Sequence, residues 1–497
     1  MKQNTNNRIK KCKVSIYTPE GIPPEKKALE ELSSLLEIED TIERMNHLEQ
    51  KNHMLSLEKV VMTPDFHKGA GIPIGTVMMT KGFVVPMAMG NDINCGMRLY
   101  ITDMKEEKIR EKLPLIITEI RKIFFEGGRN IPMNNIQREA VFKEGLTGLL
   151  ETYTETEGKG IWKYYDARVQ EKELEHVSFS GSLRADATEG LGDFIGTSKV
   201  PTYDDQIGSI GGGNHFVEMQ KVMEIFDGQT ANAWGIKKGD ITIMIHTGSL
   251  SIGHQSGMIN RMITESVYPK RLTHPENKIY PLIEKDIIRN EWNRFWNTTY
   301  NAANFSFVNR LLLGFMIQGA VNNIIGHSEM KLLYDSPHNF IWKQVMDGEV
   351  YYIHRKGACS ARGIEEMYDT PFAYYGEPVM IPGSMGSSSY LLKGTGNKDV
   401  LWSASHGAGR RLSRGEAIRG NDEEFKDFMA RFHVITPIDP KRPDLKGRMD
   451  ILKKWEESIR SEAPYAYKDI DQVISVHEKN KMAGLVARME PILTIKA

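Results

Sequence analysis

Cysteine is nearly absent from this chain: Cys12, Cys95 and Cys359 are the three in 497 residues. An odd, widely spaced set cannot staple a fold, which excludes a disulfide framework and points to a reducing, cytoplasmic compartment. Excess charge is missing too, since 64 Lys+Arg against 65 Asp+Glu leave a formal net charge of −1. That excludes a polybasic protein and an acidic tail. No apolar run approaches the roughly 18 residues of a membrane span, and the most apolar one, Leu311 to Ile317, breaks at Gln318. The start of the chain is polar up to Lys13 and has no signal-peptide core. A protein that is neither exported nor membrane-bound is expected. Several nucleotide and metal signatures are also lacking. Without a Gly-Lys-Ser/Thr sequence a P-loop is excluded, His477-Glu478 has no second His for a zincin helix, and Gly69-Ala70-Gly71 belongs to no dinucleotide fingerprint. The Lys-x-Asp-Gly sequence of ordinary nucleic-acid ligases is absent as well.

What is present is the composition of a soluble globular protein, with 40% hydrophobic and 26% charged residues. Apolar residues at near-helical spacing (Ile109, Leu113, Ile116, Ile117, Ile120, Ile123) predict a helix from Met104 to Phe125, stopped by Gly127-Gly128, within a helical stretch reaching about residue 176. A second helical block is expected from about Pro281 to Ile325. Runs such as Ile241 to Ile245 and Val350 to Ile353 read as buried strands that deliver side chains from their ends. The fold class is α/β (α+β): a single catalytic unit, central β-sheets flanked by helices, with helical insertions.

Chemistry gathers where glycines cluster, at Gly69/Gly71/Gly75, Gly208/Gly211/Gly212/Gly213, Gly383/Gly386, Gly394/Gly396 and Gly407/Gly409. Such loops let a backbone approach a phosphate closely, or simply turn tightly between strands. His215, His246, His338, His354 and His406 all fall at strand ends or in these loops. Asp92 and Cys95 place a carboxylate and a thiol three residues apart. Thiolate, imidazole and one carboxylate form a mixed set that suits Zn, Mn, Fe or Co rather than Mg or Ca. On spacing alone Cys95 is equally readable as a small buried hydrophobe. Met78, Met79, Met87, Met89 and Met97 surround that loop as adaptable filler, Cys12 and Cys359 read as structural, and His67 and His254 read as supporting or substrate-facing residues rather than ligands.

The motifs Gly90-Asn91-Asp92-Ile93-Asn94-Cys95-Gly96, Gly212-Gly213-Asn214-His215-Phe216, His246-Thr247-Gly248-Ser249, His354-Arg355-Lys356-Gly357-Ala358, Pro382-Gly383-Ser384-Met385-Gly386 and His406-Gly407-Ala408-Gly409-Arg410 occur in that order. With Leu485-Val486-Ala487-Arg488 and Lys496 at the end, the chain from about residue 60 to 497 resembles the RtcB RNA ligases. Residues 1–15 are then a polar N-terminal segment and 16–497 the ligase domain.

The resemblance implies a GTP- and manganese-dependent ligase that joins RNA 3′-phosphate or 2′,3′-cyclic phosphate ends to 5′-hydroxyl ends, in RNA repair or tRNA splicing. It implies that His406 is the nucleophile that takes GMP from GTP. It implies two Mn²⁺ per chain, with Cys95 as bridge, Asp92 and His215 completing one site and His246 and His338 the other. Guanylate contacts would come from Asn214, His215, Phe216, Val217, Glu218, His338, Asn339, Pro382, Gly383, Ser384, Met385, Ser389, His406, Gly407, Ala408, Gly409, Tyr467 and Lys496. Arg310, Lys356 and Arg414 would hold RNA phosphates, so the near-zero net charge requires a local basic groove. An archease-type accessory protein is left open.

One position departs from the family pattern: Leu250 stands where an arginine usually follows His-Thr-Gly-Ser. This puts RNA handling in question and leaves the metal and nucleotide set complete. Two other readings stay open, a dinuclear-metal phosphoesterase without a covalent nucleotide and a non-catalytic RNA-binding protein. GMP transfer to the protein separates the ligase from both.

Overall fold

The computed structural model describes residues 12–49, 55–204, 206–420 and 422–497. Its frame is an eight-stranded sheet. The order is Pro378–Ile381, Ser389–Gly394, Ala483–Ile495, Phe216–Ile225, Ile241–Thr247, Gly96–Thr102 and Met330–Pro337, with His433–Ile435 added alongside Ala483–Ile495. Every pair is antiparallel except the last. Ile241–Thr247 is buried along its whole length, which is why it reads as a continuous β-branched run rather than an alternating one.

A second, five-stranded sheet runs in the order Lys13–Ile16, Ser56–His67, Ile74–Lys81, Glu349–Lys356 and Asn339–Met346. Lys13–Ile16 pairs in parallel with Lys59 to Met62, so the boundary expected at 15/16 falls inside a strand. The part of the polar segment at 1–11 lies outside the described residues. The two sheets are joined directly: Met330–Pro337 ends in the first, Asn339–Met346 begins in the second, and His338 is the single residue between them.

The helix expected from Met104 forms over Glu106–Phe125, and the amide of Gly128 closes back on the Lys122 carbonyl. The second helical block differs from expectation. Leu282–Ile283 pairs as a strand with Phe83–Val84, and the helix begins only at Arg289, running to Ile325. Two residues of strand carry no periodic signal and are fixed by their partner. The 37-residue helix is buried nearly all round from Asn297 to Ile317, a pattern that hides a hydrophobic stripe. Its buried asparagines are satisfied by loop backbone. Asn301 and Asn304 donate to the Phe142 carbonyl, and Asn309 accepts from the amides of Gly208 and Ser209. The helix thereby fixes the irregular chain that leads into His215. Among the described residues, no helix is long and apolar enough to cross a membrane.

Candidate metal centre and active-site cleft

Neighbouring strands end together at one edge of the large sheet. Cys95 precedes Gly96–Thr102, His215 precedes Phe216–Ile225, and His246 is the penultimate residue of Ile241–Thr247. The register sets Phe216 opposite His246, and Gly96 opposite both Thr247 and Pro337, so that His338 follows on the next strand. Four donors from four strands thus converge through sheet register alone. The Cys95 Sγ lies 3.3 Å from the Nε2 atoms of both His215 and His246, and the His246 and His338 Nε2 atoms are 3.3 Å apart. Asp92 Oδ2 is 2.8 Å from His215 Nε2, while its Oδ1 accepts the amides of Ser249 and Leu250 at 3.0 and 3.4 Å. Gly248 has to be glycine here, because a Cβ would collide with the Asp92 carboxylate.

These donors form two triples, Asp92/Cys95/His215 and Cys95/His246/His338, each with its ligand atoms within 4.8 Å of one another. The chemistry of the set fits two borderline-soft divalent cations that share the thiolate. Burial, then Asp92, pushes the Cys95 thiol well up. Burial, then His338, pushes His246 well down, and burial, then His406, does the same to His338. His246 and His338 are therefore neutral with lone pairs available, and a cation would have to displace the thiol proton. His338 Nδ1 is buried without a hydrogen-bond partner.

Below the centre lies a buried charge cluster. Asp335 meets Arg98 at 3.1 Å and Arg310 at 2.8 Å, all three fully buried. Arg310 also donates to the carbonyls of Asn94 and Thr247 at 2.7 and 3.0 Å. The placement of Arg310 at RNA phosphates is therefore corrected: its guanidinium is sealed from solvent and pins the loops that carry Cys95 and His246.

His406 follows Ser403–Ser405. Its Nδ1 lies 2.6 Å from Asp65 Oδ2, its amide donates to the same oxygen at 3.2 Å, and its ring stands 4.9 Å from that of His338. Burial would raise the Asp65 carboxyl, but His406 and the Thr63 hydroxyl hold it well below the carboxylate range. An ionised Asp65 keeps the proton on Nδ1 and leaves the Nε2 lone pair free. The ground behind is fixed from two sides: Lys468 donates to the carbonyls of Pro64 and Phe66, and His477 Nε2 accepts the Ser405 amide at 2.9 Å. Gly409 (φ +75°) turns the loop directly over Asp65, where a Cβ would strike the Asp65 carbonyl.

Asp65, Lys468 and His477 were not foreseen. Asp65 is 341 residues from His406, and the only local signal was the Thr63-Pro64-Asp65-Phe66-His67 run next to the Gly69 cluster. His67 is buried, and burial lowers it to about 4. His254 is exposed on the helix Leu250–Val267.

His406 and His246 open onto a cleft of about 490 Å³, also lined by Asn214, Phe216, Glu218, Pro382 to Met385, Gly407 to Arg410, Arg414, Tyr467 and Lys496. Lys496 is buried, donates to the carbonyls of Gly213 and His215 at 2.7 and 3.3 Å, and is lowered to about 8 by burial. Burial raises Glu218 to about 7. Glu462 pairs with Arg410 and Arg414, each at 2.9 Å, and with the Tyr467 hydroxyl. Lys356 lines the cleft and donates to the Ile72 carbonyl at 2.8 Å. Five expected residues stand behind the wall, two of them, His215 and His338, in the donor triples. Val217 is fully buried in the core, Ser389 accepts from Gln220, which also donates to Glu218, and Asn339 holds the Asp92 carbonyl and the Gly357 amide. Leu250 is not among the residues lining the cleft; its amide reaches Asp92, and it stands in the left-handed region (φ +52°), packed on Gly211.

Residues 48–497 match the family model described as tRNA-splicing ligase RtcB. Among relatives, the tRNA-splicing ligase RtcB of Pyrobaculum aerophilum is 31% identical over 88% of this chain and 87% of that protein. The protein of the same name in Thermococcus kodakarensis is 29% identical over 87% of this chain and 86% of that protein. The RNA-splicing ligase RtcB of Mycobacterium tuberculosis is 30% identical over 87% of this chain and 95% of that protein. With its ordered motifs converging on one cleft, the chain belongs to the RtcB family.

Proposed function

We propose that this chain is an RNA ligase that uses GTP and manganese to join RNA 3′-phosphate or 2′,3′-cyclic phosphate ends to 5′-hydroxyl ends, acting in tRNA splicing or RNA repair. The observation that carries the reading is the His406–Asp65 pair set beside two donor triples that share Cys95. Asp92, Cys95 and His215 would hold one cation and Cys95, His246 and His338 the other. Bound there, the cations would offset phosphate charge during displacement.

In the first step His406 Nε2 attacks the α-phosphorus of GTP, a P–N bond forms, and the P–O bond to pyrophosphate breaks. Asp65 stabilises the positive charge that develops on the ring through Nδ1. The RNA 3′-phosphate then takes GMP from His406, and the 5′-hydroxyl attacks the activated phosphorus and expels GMP. A cyclic end must first be opened by water to a 3′-phosphate. Lys496, Tyr467 and Glu218 would hold the guanylate, with Pro382 to Met385 and the Gly407 to Gly409 backbone around it.

Incubation with Mn²⁺, GTP and an RNA pair carrying a cyclic-phosphate end and a 5′-hydroxyl end should yield joined product that depends on GTP. Terminal phosphate release without joining would instead favour the phosphoesterase reading.

Lys496→Met keeps the aliphatic stem and removes the ammonium. Its KM for GTP is expected to rise roughly ten- to hundredfold, the worth of a charged hydrogen bond, with metal content unchanged. A wild-type KM would remove Lys496 from the nucleotide site.

Leu250→Arg adds a phosphate-binding side chain beside the Asp92 loop. The salt dependence of RNA binding should steepen by up to one phosphate contact, about 0.7 in log–log slope for a single strand, with the His406 adduct unchanged. An identical slope would mean that Leu250 is packing alone, and an altered adduct yield would place it inside the nucleotide site.

A further inference from the structure

The lining of the cleft separates by contact into two walls. One joins Lys496 to Gly213 and joins Glu462 to Arg410, Arg414 and Tyr467. The other contains His67 to Ala70, Met87, Met89 to Asn91, a stripe of the helix Leu250–Val267, and Lys278 with Tyr280. Contacts tie this second wall together as well. Space beside Gly71 is bounded by Met87 and space beside Gly257 by Asn91. The helix contributes Gly257, Asn260, Arg261 and Thr264, whose spacing puts them on one face.

The walls differ electrostatically. In the first, the cations are engaged: Arg410 and Arg414 by Glu462, and Lys496 by backbone carbonyls. The two carboxylates among the lining residues, Glu218 and Glu462, also belong there. The second wall presents Lys68, Arg261 and Lys278, all exposed. None of their side chains makes a hydrogen bond or ion pair with the described residues. The acids behind this wall are committed to its backbone, Glu25 to the amide of Lys68 and Glu31 to those of Gly69 and Gly71. Three unengaged cations on three separate segments, with no lining carboxylate between them, suit an extended polyanion better than one compact triphosphate.

We propose that this second wall is the seat of an RNA strand, with Lys68, Arg261 and Lys278 holding successive backbone phosphates next to the reacting end. The assignment rests on the ligase reading and adds to it the residues that grip the strand.

The test uses a fluorescent single-stranded RNA ending in a 3′-phosphate, titrated by anisotropy over a range of salt concentrations. Wild type is compared with Lys68→Ala, Arg261→Ala, Lys278→Ala, the triple variant and Arg261→Lys. The log–log salt slope should become shallower by about 0.7 for each side chain removed, cumulatively in the triple variant, and Arg261→Lys should keep the wild-type slope. A wild-type slope in the triple variant, or no RNA binding by wild type, would overturn the proposal. The same preparations are incubated with α-labelled GTP. Absence of a His406 adduct in wild type defeats the ligase reading, while the salt slope still decides the wall. A triple variant that loses the adduct would show that the two walls are one site, and would also overturn the proposal.

Discussion

His406→Ala is expected to abolish covalent labelling by α-labelled GTP in the presence of Mn²⁺, and to lower ligation by at least about 10³-fold. Among the described residues, Nε2 is the one imidazole nitrogen lining the cleft whose ring is already oriented by a buried carboxylate, through the 2.6 Å contact of Nδ1 with Asp65. Alanine removes the nucleophile and leaves both donor triples untouched, so bound metal should remain at wild-type content. Asp65→Asn makes a sharper companion. It keeps Nε2 in place but can present an amide N–H to Nδ1, which favours the tautomer whose proton sits on the attacking nitrogen. Labelling should then slow by up to about 10⁴-fold, the drop known for the wrong tautomer in a serine-protease triad. A purely structural Asp65 would instead reduce the folded fraction and leave the labelling rate of the folded protein unchanged. Labelling is read on a denaturing gel, and labelling of His406→Ala equal to wild type would remove this residue from the chemistry.

The convergent donor set was legible in the sequence because the sheet places each candidate ligand beside a local signal. Cys95, His215 and His246 each stand within one residue of a strand end, and each is flanked by glycine, asparagine or threonine. Short β-branched runs followed by such residues are readable without a partner. Pairings were not. Asp65 and His406 meet through 341 residues of intervening chain, and no periodicity links Thr63-Pro64-Asp65 to a loop that far away. Arg310 was misplaced for the opposite reason. The resemblance carried it over by position as an RNA contact, yet Leu311, Leu312 and Leu313 beside it show that this turn has no solvent face. What it needs is a buried counter-charge, and Asp335, on a strand of the large sheet, supplies it. The strand Leu282–Ile283 was hidden in the same way, since its only cause is Phe83–Val84.

Cys95→Ala should empty both metal positions, whereas His338→Ala or His215→Ala should empty one. The thiol belongs to both triples, Asp92/Cys95/His215 and Cys95/His246/His338, while each of those histidines belongs to one. Removing it takes away the anionic donor that would lie between two cations, and their mutual repulsion then falls on neutral imidazoles and a single carboxylate. Affinity for Mn²⁺ is expected to drop more than about 100-fold at both positions, beyond the upper end of what loss of a mere outer-shell partner costs. Ligation should become undetectable. The fold should tolerate the change, because the side chain is small and the loop is held independently by the Cys95 amide on Asp92 and by Arg310 on the Asn94 carbonyl. Metal content after dialysis, measured by mass spectrometry beside a thermal melt, decides the matter. The expected series is two ions for wild type, one for each histidine variant and none for Cys95→Ala. Two tightly held ions in Cys95→Ala would refute a bridging thiolate, and a loss of both in His338→Ala would mean that the two positions fill only as a unit.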